Sequence, residues 1–82
     1  MKEIQDELRR FLVNSGYLDD SASVADDESL FESGVIDSLA VMEVTQHMVT
    51  HYKMTVPPED LIPENFDSLA LMAGYISRST SG

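Results

Sequence analysis

The first part of the chain repeats apolar residues at helical spacing, with charged residues between them. The apolar positions of this stripe are Ile4, Leu8, Phe11 and Leu12. This spacing is typical of an amphipathic helix, and the Ser15-Gly16 pair that follows it is a helix stop signal. We therefore predict a first helix from about Lys2 to Asn14.

The helical period is lost from Tyr17 to Ile36, where acidic residues and serines dominate. The apolar residues of this segment are spaced irregularly: Leu18, Val24, Leu30, Phe31, Val35 and Ile36. A connection of this length is unusual in a compact domain and tends to be functional. We predict a long ordered loop between the first two helices.

A second helical stripe begins after Asp37, which is a good N-cap residue. Its apolar members are Leu39, Met42, Met48, Val49 and Tyr52. The spacing predicts a second, central helix from about Ser38 to Tyr52.

The last third of the chain carries two shorter patterns. Residues 53–56 predict an extended link, and Pro57-Pro58 predicts a short third helix of barely one turn that ends before Pro63. Asn65 or Asp67 can cap a last helix, which fades from position 77 onward. Its core face consists of Leu69, Met72, Ala73 and Ile76. The patterns together predict an all-α four-helix bundle with a short third helix and a long loop between helices 1 and 2.

The length of 82 residues allows one small domain, and we assign residues 1–82 to it. A chain of this size buries roughly 60% of its unfolded surface, so a large enclosed catalytic cavity is not expected. Hydrophobic residues make up 43% of the chain, which indicates a folded core and not an acidic disordered tail.

Fifteen acidic residues against five basic ones give a net charge of −10. Such a charge repels nucleic-acid phosphates and anionic membrane surfaces, so we expect partner proteins with basic surfaces and neither nucleic acid nor membrane. There is no cysteine, so any thiol that the protein uses must be imported. The sequence shows no charged leader followed by an apolar run and no apolar segment of membrane-spanning length. We expect a soluble, cytoplasmic protein.

The candidate chemistry lies between Leu30 and Leu39, where Asp37-Ser38 stands between apolar residues at the predicted start of helix 2. Gly34 allows a tight backbone path, and the aliphatic residues at positions 35 and 36 can anchor the loop so that Ser38 points outward. A phosphate ester at the first turn of a helix faces unpaired N–H groups and the positive end of the helix dipole, worth roughly 0.3–1 kcal/mol. The start of helix 2 therefore suits a modified serine.

This run resembles the modification site of the acyl carrier protein superfamily. In that family Leu, three residues, Gly, two aliphatic residues and Asp-Ser-Leu mark the serine that receives 4'-phosphopantetheine. The matching positions here are Leu30, Gly34, Val35, Ile36, Asp37, Ser38 and Leu39, and the resemblance covers nearly the whole chain. It implies a bundle of the acyl carrier protein type, with an arm moved from coenzyme A to Ser38 by a phosphopantetheinyl transferase. The family's serine is a tether and the thiol of the arm carries the cargo as a thioester, so the resemblance implies a carrier and not an enzyme.

The second helix departs from one branch of the family. Fatty-acid carriers typically present several acids along it, whereas the predicted helix here contains one, Glu43. The departure implies recognition by apolar residues and shape, which is closer to peptidyl and aminoacyl carriers. Asp37 is expected to contact the transferase, and we expect partner docking at Leu39, Val41, Met42 and Glu43. Residues 59–69 also resemble discrete carriers that accept an amino acid from a separate adenylating enzyme.

The resemblance thus predicts a discrete, monomeric carrier that holds an aminoacyl or acyl group in a bacterial biosynthetic pathway of the nonribosomal peptide or polyketide kind. Its expected partners are the transferase, an adenylating or acyl-loading enzyme, and downstream biosynthetic enzymes. Two alternatives stay open. One is a discrete fatty-acid or polyketide carrier, and the other, from a different class, is an acidic helical adaptor whose Ser38 is never modified.

A second Asp-Ser-Leu triplet at positions 67–69 lacks the upstream glycine and aliphatic pair. We interpret it as the start of the last helix, because Phe66 and Ser68 resemble the packed aromatic residue and the capping hydroxyl that open this helix in the family. The methionines at helical spacing are interpreted as core residues. These are Met42, Met48, Met54 and Met72.

The two histidines, His47 and His51, favour neither a hydrolase nor a metal site. At 1.5 Å rise per residue, His47 lies roughly 13 Å from Ser38 along the helix, which is too far for the base of a serine hydrolase. No glutamate follows His47, and no third ligand is evident nearby in the sequence. We expect the histidines to contact solvent or a partner.

Overall fold

The structure, a computed structural model, describes residues 2–19 and 24–80. These residues form four α-helices and one 3₁₀ turn, with no strand among them. The elements are α1 (Lys2–Asn14), α2 (Ser38–His51), the 3₁₀ turn (Pro58–Asp60), α3 (Pro63–Phe66) and α4 (Leu69–Thr80). The predicted all-α fold with four helices, one of them short, is confirmed. No helix in this part of the chain is long and apolar enough to cross a membrane.

α1 has the predicted bounds, and a glycine-based cap ends it. Gly16 adopts φ +87°, a left-handed conformation that glycine takes without steric cost. The amide of Gly16 donates to the carbonyl of Val13, and the amide of Tyr17 donates to the carbonyl of Leu12. This is the Schellman pattern of hydrogen bonds. Local sequence is therefore enough to end α1 at Asn14.

α2 is one residue shorter than predicted and is buried on a different face. Its buried residues, each one turn from the next, are Ala40, Val44 and Met48. Three members of the predicted stripe are exposed: Leu39, Met42 and Val49. Apolar residues are spread around α2 among the polar ones, so spacing alone does not select the buried face. The prediction of a core position is wrong for Met42 and is confirmed for the other three methionines, Met48, Met54 and Met72.

The described part of the long loop, residues 17–19 and 24–37, is fastened to the helices. Its buried anchors are Leu18, Leu30 and Ile36. The carbonyl of Asp26 accepts a 2.8 Å hydrogen bond from the amide of Ala70, and its carboxylate lies 2.9 Å from Nη2 of Arg9. These contacts fasten the part of the predicted loop that follows position 23. Residues 20–23 lie outside the described residues.

The short third helix lies later in the chain than predicted. Pro58–Asp60 forms only a single 3₁₀ turn, and the helix begins at Pro63, the residue that we expected to end it. Ile62, before the proline, is extended at φ −125° and ψ 154°, as proline requires of its predecessor. Proline also suits the first position of a helix because its missing N–H is not needed there. The predicted position of the third helix is therefore wrong, and Pro63 is the proline that starts it.

The hydroxyl of Ser68 caps α4, accepting a 3.0 Å hydrogen bond from the amide of Leu71. Phe66 is buried, so both features expected at the opening of the last helix are confirmed. The caps proposed from residue type are wrong. Asn65 donates from its side-chain amide to the last carbonyl of the 3₁₀ turn, and the carboxylate of Asp67 binds the long loop. α4 also continues to position 80 and does not fade at 77.

Candidate functional site

Ser38 is the first residue of α2 and is exposed to solvent. Asp37 before it has extended backbone angles, φ −128° and ψ −170°, and is the N-cap of the helix. Its carboxylate accepts a 2.9 Å hydrogen bond from the amide of Ala40, which satisfies one of the unpaired N–H groups of the first turn. The capping role predicted for Asp37 is confirmed.

The backbone that leads to Ser38 turns sharply at Gly34, which has φ +82°. Its amide donates to the carbonyl of Phe31 at 3.2 Å, and the amide of Ile36 donates to the carbonyl of Leu30 at 3.1 Å. Leu30 and Ile36 are both buried, so the turn is anchored at each end. The expected anchoring by positions 35 and 36 is confirmed mainly for Ile36, since Val35 is only half-buried.

An apolar groove of about 310 Å³ opens beside Ser38. Its lining consists of Phe31, Ser38, Val41, Met42, Leu61, Ile62, Pro63 and Phe66. The loop, the start of α2 and the segment before α3 thus meet at one place. Sequence reasoning missed the exposed side chains of Leu61 and Ile62, although two adjacent apolar residues in a stretch bounded by prolines are a signal that could have indicated them.

The residues predicted to dock partners surround Ser38. One of them, Val41, is half-buried, and four are exposed: Asp37, Leu39, Met42 and Glu43. Leu39 is 65% exposed and Met42 is 64% exposed. Two exposed apolar side chains therefore lie close to Ser38 in the sequence of α2.

The second serine of an Asp-Ser-Leu triplet has a different environment. Ser68 is only 4% exposed, and its hydroxyl is engaged as the cap of α4. A modifying enzyme cannot reach this oxygen without opening the start of α4. The two matching triplets therefore present one accessible and one inaccessible hydroxyl.

Comparison with known proteins supplies the remaining observation. The family model described as the phosphopantetheine attachment site matches residues 15–76. The chain belongs to the phosphopantetheine attachment site family. Members of this family carry covalently attached 4'-phosphopantetheine, so the protein is a phosphopantetheine carrier. A search of curated proteins found no match.

Family membership also defines the general kind of partner. Carrier domains are not catalytic themselves, and they interact with phosphopantetheinyl transferases and with biosynthetic enzymes. A carrier must therefore present its modified residue on an accessible surface. Ser38 and the exposed side chains beside it offer such a surface.

The carrier has a second group of polar side chains, where α1 lies against the later part of α2. Nε2 of His47 donates to the carboxylate of Glu7, 2.9 Å from each oxygen. The hydroxyl of Tyr52 donates to the same carboxylate at 2.8 Å. The ring of His47 stacks on Phe11 with centroids 4.1 Å apart and is only 14% exposed. The expectation that His47 contacts solvent or a partner is wrong, because a glutamate 40 residues earlier reaches it.

These contacts shift the pKa values of Glu7 and Tyr52. Burial by itself raises the pKa of the Glu7 carboxyl, but the hydrogen bonds from His47 and Tyr52 and the nearby imidazoles lower that pKa below its ordinary value. Burial and the hydrogen bond to Glu7 raise the pKa of the Tyr52 phenol. At neutral pH Glu7 is therefore ionised and Tyr52 is a neutral donor.

Proposed function

We propose that Ser38 is the attachment residue for 4'-phosphopantetheine and that residues 1–82 form a single carrier domain. The observation that supports this most is the position of Ser38. It is exposed at the first residue of a helix that Asp37 caps, whereas Ser68 is buried as a cap.

The surroundings of Ser38 fit this group. The phosphate would lie at the positive end of the α2 dipole. This attraction offsets the repulsion between the phosphate and the nearby Asp37 carboxylate. The apolar groove would offer Phe31, Leu61 and Ile62 to the arm or its cargo. When attached, the group supplies a thiol that holds an acyl group as a thioester. The chain has no cysteine and so has no thiol of its own.

We further propose that the cargo is an aminoacyl or acyl group of a nonribosomal peptide or polyketide pathway. The carrier would act as a monomer in the cytoplasm. Support comes from the surface of α2, where Glu43 is the single acid and Leu39 and Met42 are exposed. Apolar contacts on such a surface would bind the loading enzyme, and the other acids of the chain lie elsewhere. The proposed partners are a phosphopantetheinyl transferase, an adenylating or acyl-loading enzyme, and the biosynthetic enzymes that follow.

The attachment is tested by intact-mass spectrometry after incubation with coenzyme A, Mg²⁺ and a broad-specificity phosphopantetheinyl transferase. The expected result is a gain of one phosphopantetheine, mapped by peptide analysis to Ser38. Ser38→Ala should abolish the gain, and Ser68→Ala is the matched control that should retain it. Circular dichroism verifies the fold of both variants. Modification of folded Ser38→Ala would reject Ser38 as the attachment residue. No modification of the folded wild type beside an active control carrier would reject Ser38 and favour the adaptor.

The cargo is tested on the phosphopantetheinylated protein. Amino acids with ATP and adenylating enzymes are offered in one series, and malonyl-coenzyme A with a malonyl transferase in another. Aminoacyl thioester formation is the expected outcome, and loading by malonyl alone would favour the fatty-acid or polyketide alternative. Leu39→Ser and Met42→Ser should lower the loading rate, while Val49→Ser, exposed further along α2, is the control.

A further inference from the structure

Three side chains that can bind metal ions meet between α1 and α2. They are Glu7 from α1 and, one helical turn apart in α2, His47 and His51. Their nitrogen and oxygen ligand atoms all lie within 4.8 Å of one another. Nε2 of His47 is 2.9 Å from each Glu7 oxygen, and Nε2 of His51 is 3.9 Å from Oε2 of Glu7.

We propose that Glu7, His47 and His51 form a Zn²⁺-binding site. Two imidazole nitrogens and one carboxylate oxygen are a donor set that zinc accepts, with a fourth position left for water. The nitrogen donors disfavour Mg²⁺ and Ca²⁺, which take oxygen ligands. The site is separate from the proposed attachment residue, since nine residues of helix place His47 roughly 13 Å from Ser38 along the axis.

The spacing is close to what zinc requires. With zinc–ligand bonds near 2.0–2.1 Å, ligand atoms of a tetrahedral site lie roughly 3.3 Å apart, so His47 and Glu7 are already near enough. Nε2 of His51 must approach the Glu7 oxygen, now 3.9 Å away, by about 0.6 Å, and the three ligand atoms, now within 4.8 Å of one another, must close to about 3.3 Å. Its side chain is 51% exposed, which leaves it room to move. The rings of His47 and His51 are almost parallel, with an interplanar angle of 13° and centroids 4.9 Å apart.

The surrounding residues hold two of the ligands in place before metal binds. Tyr52 donates to Oε1 of Glu7 at 2.8 Å, and Phe11 stacks on His47. Groups of this kind orient metal ligands and strengthen binding. The exposed side chain of His51 leaves the ligands open to an ion that approaches from solvent. Zinc would replace the hydrogen on Nε2 of His47, and that proton would move to Nδ1 or to solvent.

The same contacts could instead serve only to hold α1 against α2 by hydrogen bonds. His51 separates the two interpretations, because its distance of 3.9 Å from Glu7 is too long for a hydrogen bond. A purely structural cluster should depend on His47 and barely on His51. A zinc site should require both.

Zinc binding is measured by isothermal titration calorimetry of tag-free protein with ZnCl₂ at pH 7.5. Thermal unfolding is then followed in the presence and in the absence of zinc. We expect one saturable site and a melting temperature that rises with zinc, because binding to the folded state stabilises it. His51→Gln should weaken zinc binding at least tenfold and change the metal-free melting temperature less than His47→Gln does. His47→Gln should weaken zinc binding as strongly and also lower the metal-free melting temperature.

Two controls make the result specific. Asp6→Asn removes a negative charge at an exposed position of α1 next to Glu7, and this variant should bind zinc as the wild type does. MgCl₂ at equal concentration should not reproduce the zinc-dependent rise. Equal zinc affinity in wild type and His51→Gln, or equal losses in His51→Gln and Asp6→Asn, would overturn the site. His51→Gln should still accept phosphopantetheine, so this test stands apart from that of Ser38.

Discussion

The hydroxyl of Ser29 donates a 2.8 Å hydrogen bond to the carboxylate of Asp67, which lies 38 positions later in the chain. The same carboxylate oxygen accepts a 3.1 Å hydrogen bond from the amide of Phe31. The backbone carbonyl of Asp67 in turn accepts from the amide of Leu30 at 2.6 Å. Asp67, two residues before α4, thus fixes the loop segment that leads to Ser38 and that contributes Phe31 to the groove.

The first prediction concerns this contact. Asp67→Ala removes the acceptor for two donors and should lower the free energy of unfolding by about 2 kcal/mol. Urea denaturation followed by circular dichroism measures the change. Asp67→Asn keeps a side-chain oxygen at this place and should cost less than half as much. Equal losses in the two variants would mean that charge, and not the shared acceptor, secures the loop.

The second prediction uses the two Asp-Ser-Leu triplets as a matched pair. Ser68→Ala removes the cap of α4 and should lower the free energy of unfolding by about 1 kcal/mol. Ser38→Ala makes the same chemical change at an exposed position where Asp37 is the cap, and it should alter stability by less than about 0.5 kcal/mol. Denaturant unfolding of both variants checks the contrast, and a larger loss at Ser38 would contradict it.

The third prediction concerns the residue after α2. Lys53 has φ +56°, a left-handed conformation that costs an L-residue roughly 1 kcal/mol and glycine almost nothing. Lys53→Gly should therefore raise the melting temperature. The free energy of unfolding should rise by about 0.5 kcal/mol, once the greater entropy of the unfolded glycine variant is subtracted. Thr55→Gly in the same link is the control and should be destabilising. A lower melting temperature for Lys53→Gly would show that its side chain has a stabilising contact.

The fourth prediction concerns alkaline pH. Burial, together with the 2.8 Å hydrogen bond from its hydroxyl to Oδ2 of Asp60, raises the pKa of Tyr75. The folded protein therefore keeps this proton at pH values where the unfolded chain loses it. The resulting stabilisation is complete below the ordinary tyrosine pKa of about 10 and is lost as pH rises through the higher folded-state value.

Urea midpoints measured from pH 8 upward test this expectation. The wild type should lose stability above about pH 10, and Tyr75→Phe should lose less over the same range, with Tyr52 responsible for the remainder. At neutral pH Tyr75→Phe should be less stable by about 1 kcal/mol, because it lacks the hydrogen bond to Asp60. Identical pH profiles for the two proteins would show that Tyr75 does not titrate differently on unfolding.

Much of the structure around Ser38 followed from local sequence. Asp37 caps α2 because aspartate at that position reaches its own helix, and Gly34 turns the chain because glycine tolerates positive φ. The bounds of α1 likewise depend on neighbouring residues alone. The groove beside Ser38 did not follow, since Leu61 and Ile62 reach it from more than 20 positions away.

The helical composition, the start of α2 at Ser38 and the acidic charge follow from the amino-acid sequence alone. Each depends on residues within a turn or two, or on a simple sum of charges. The buried side of α2 depends on the packing of the whole chain, because apolar residues are spread around this helix and its neighbours select Ala40, Val44 and Met48. The pairing of Glu7 with His47 was decided in the same way. It joins residues 40 positions apart, and only the packing of α1 against α2 brings a carboxylate to an imidazole that sequence spacing leaves without a partner.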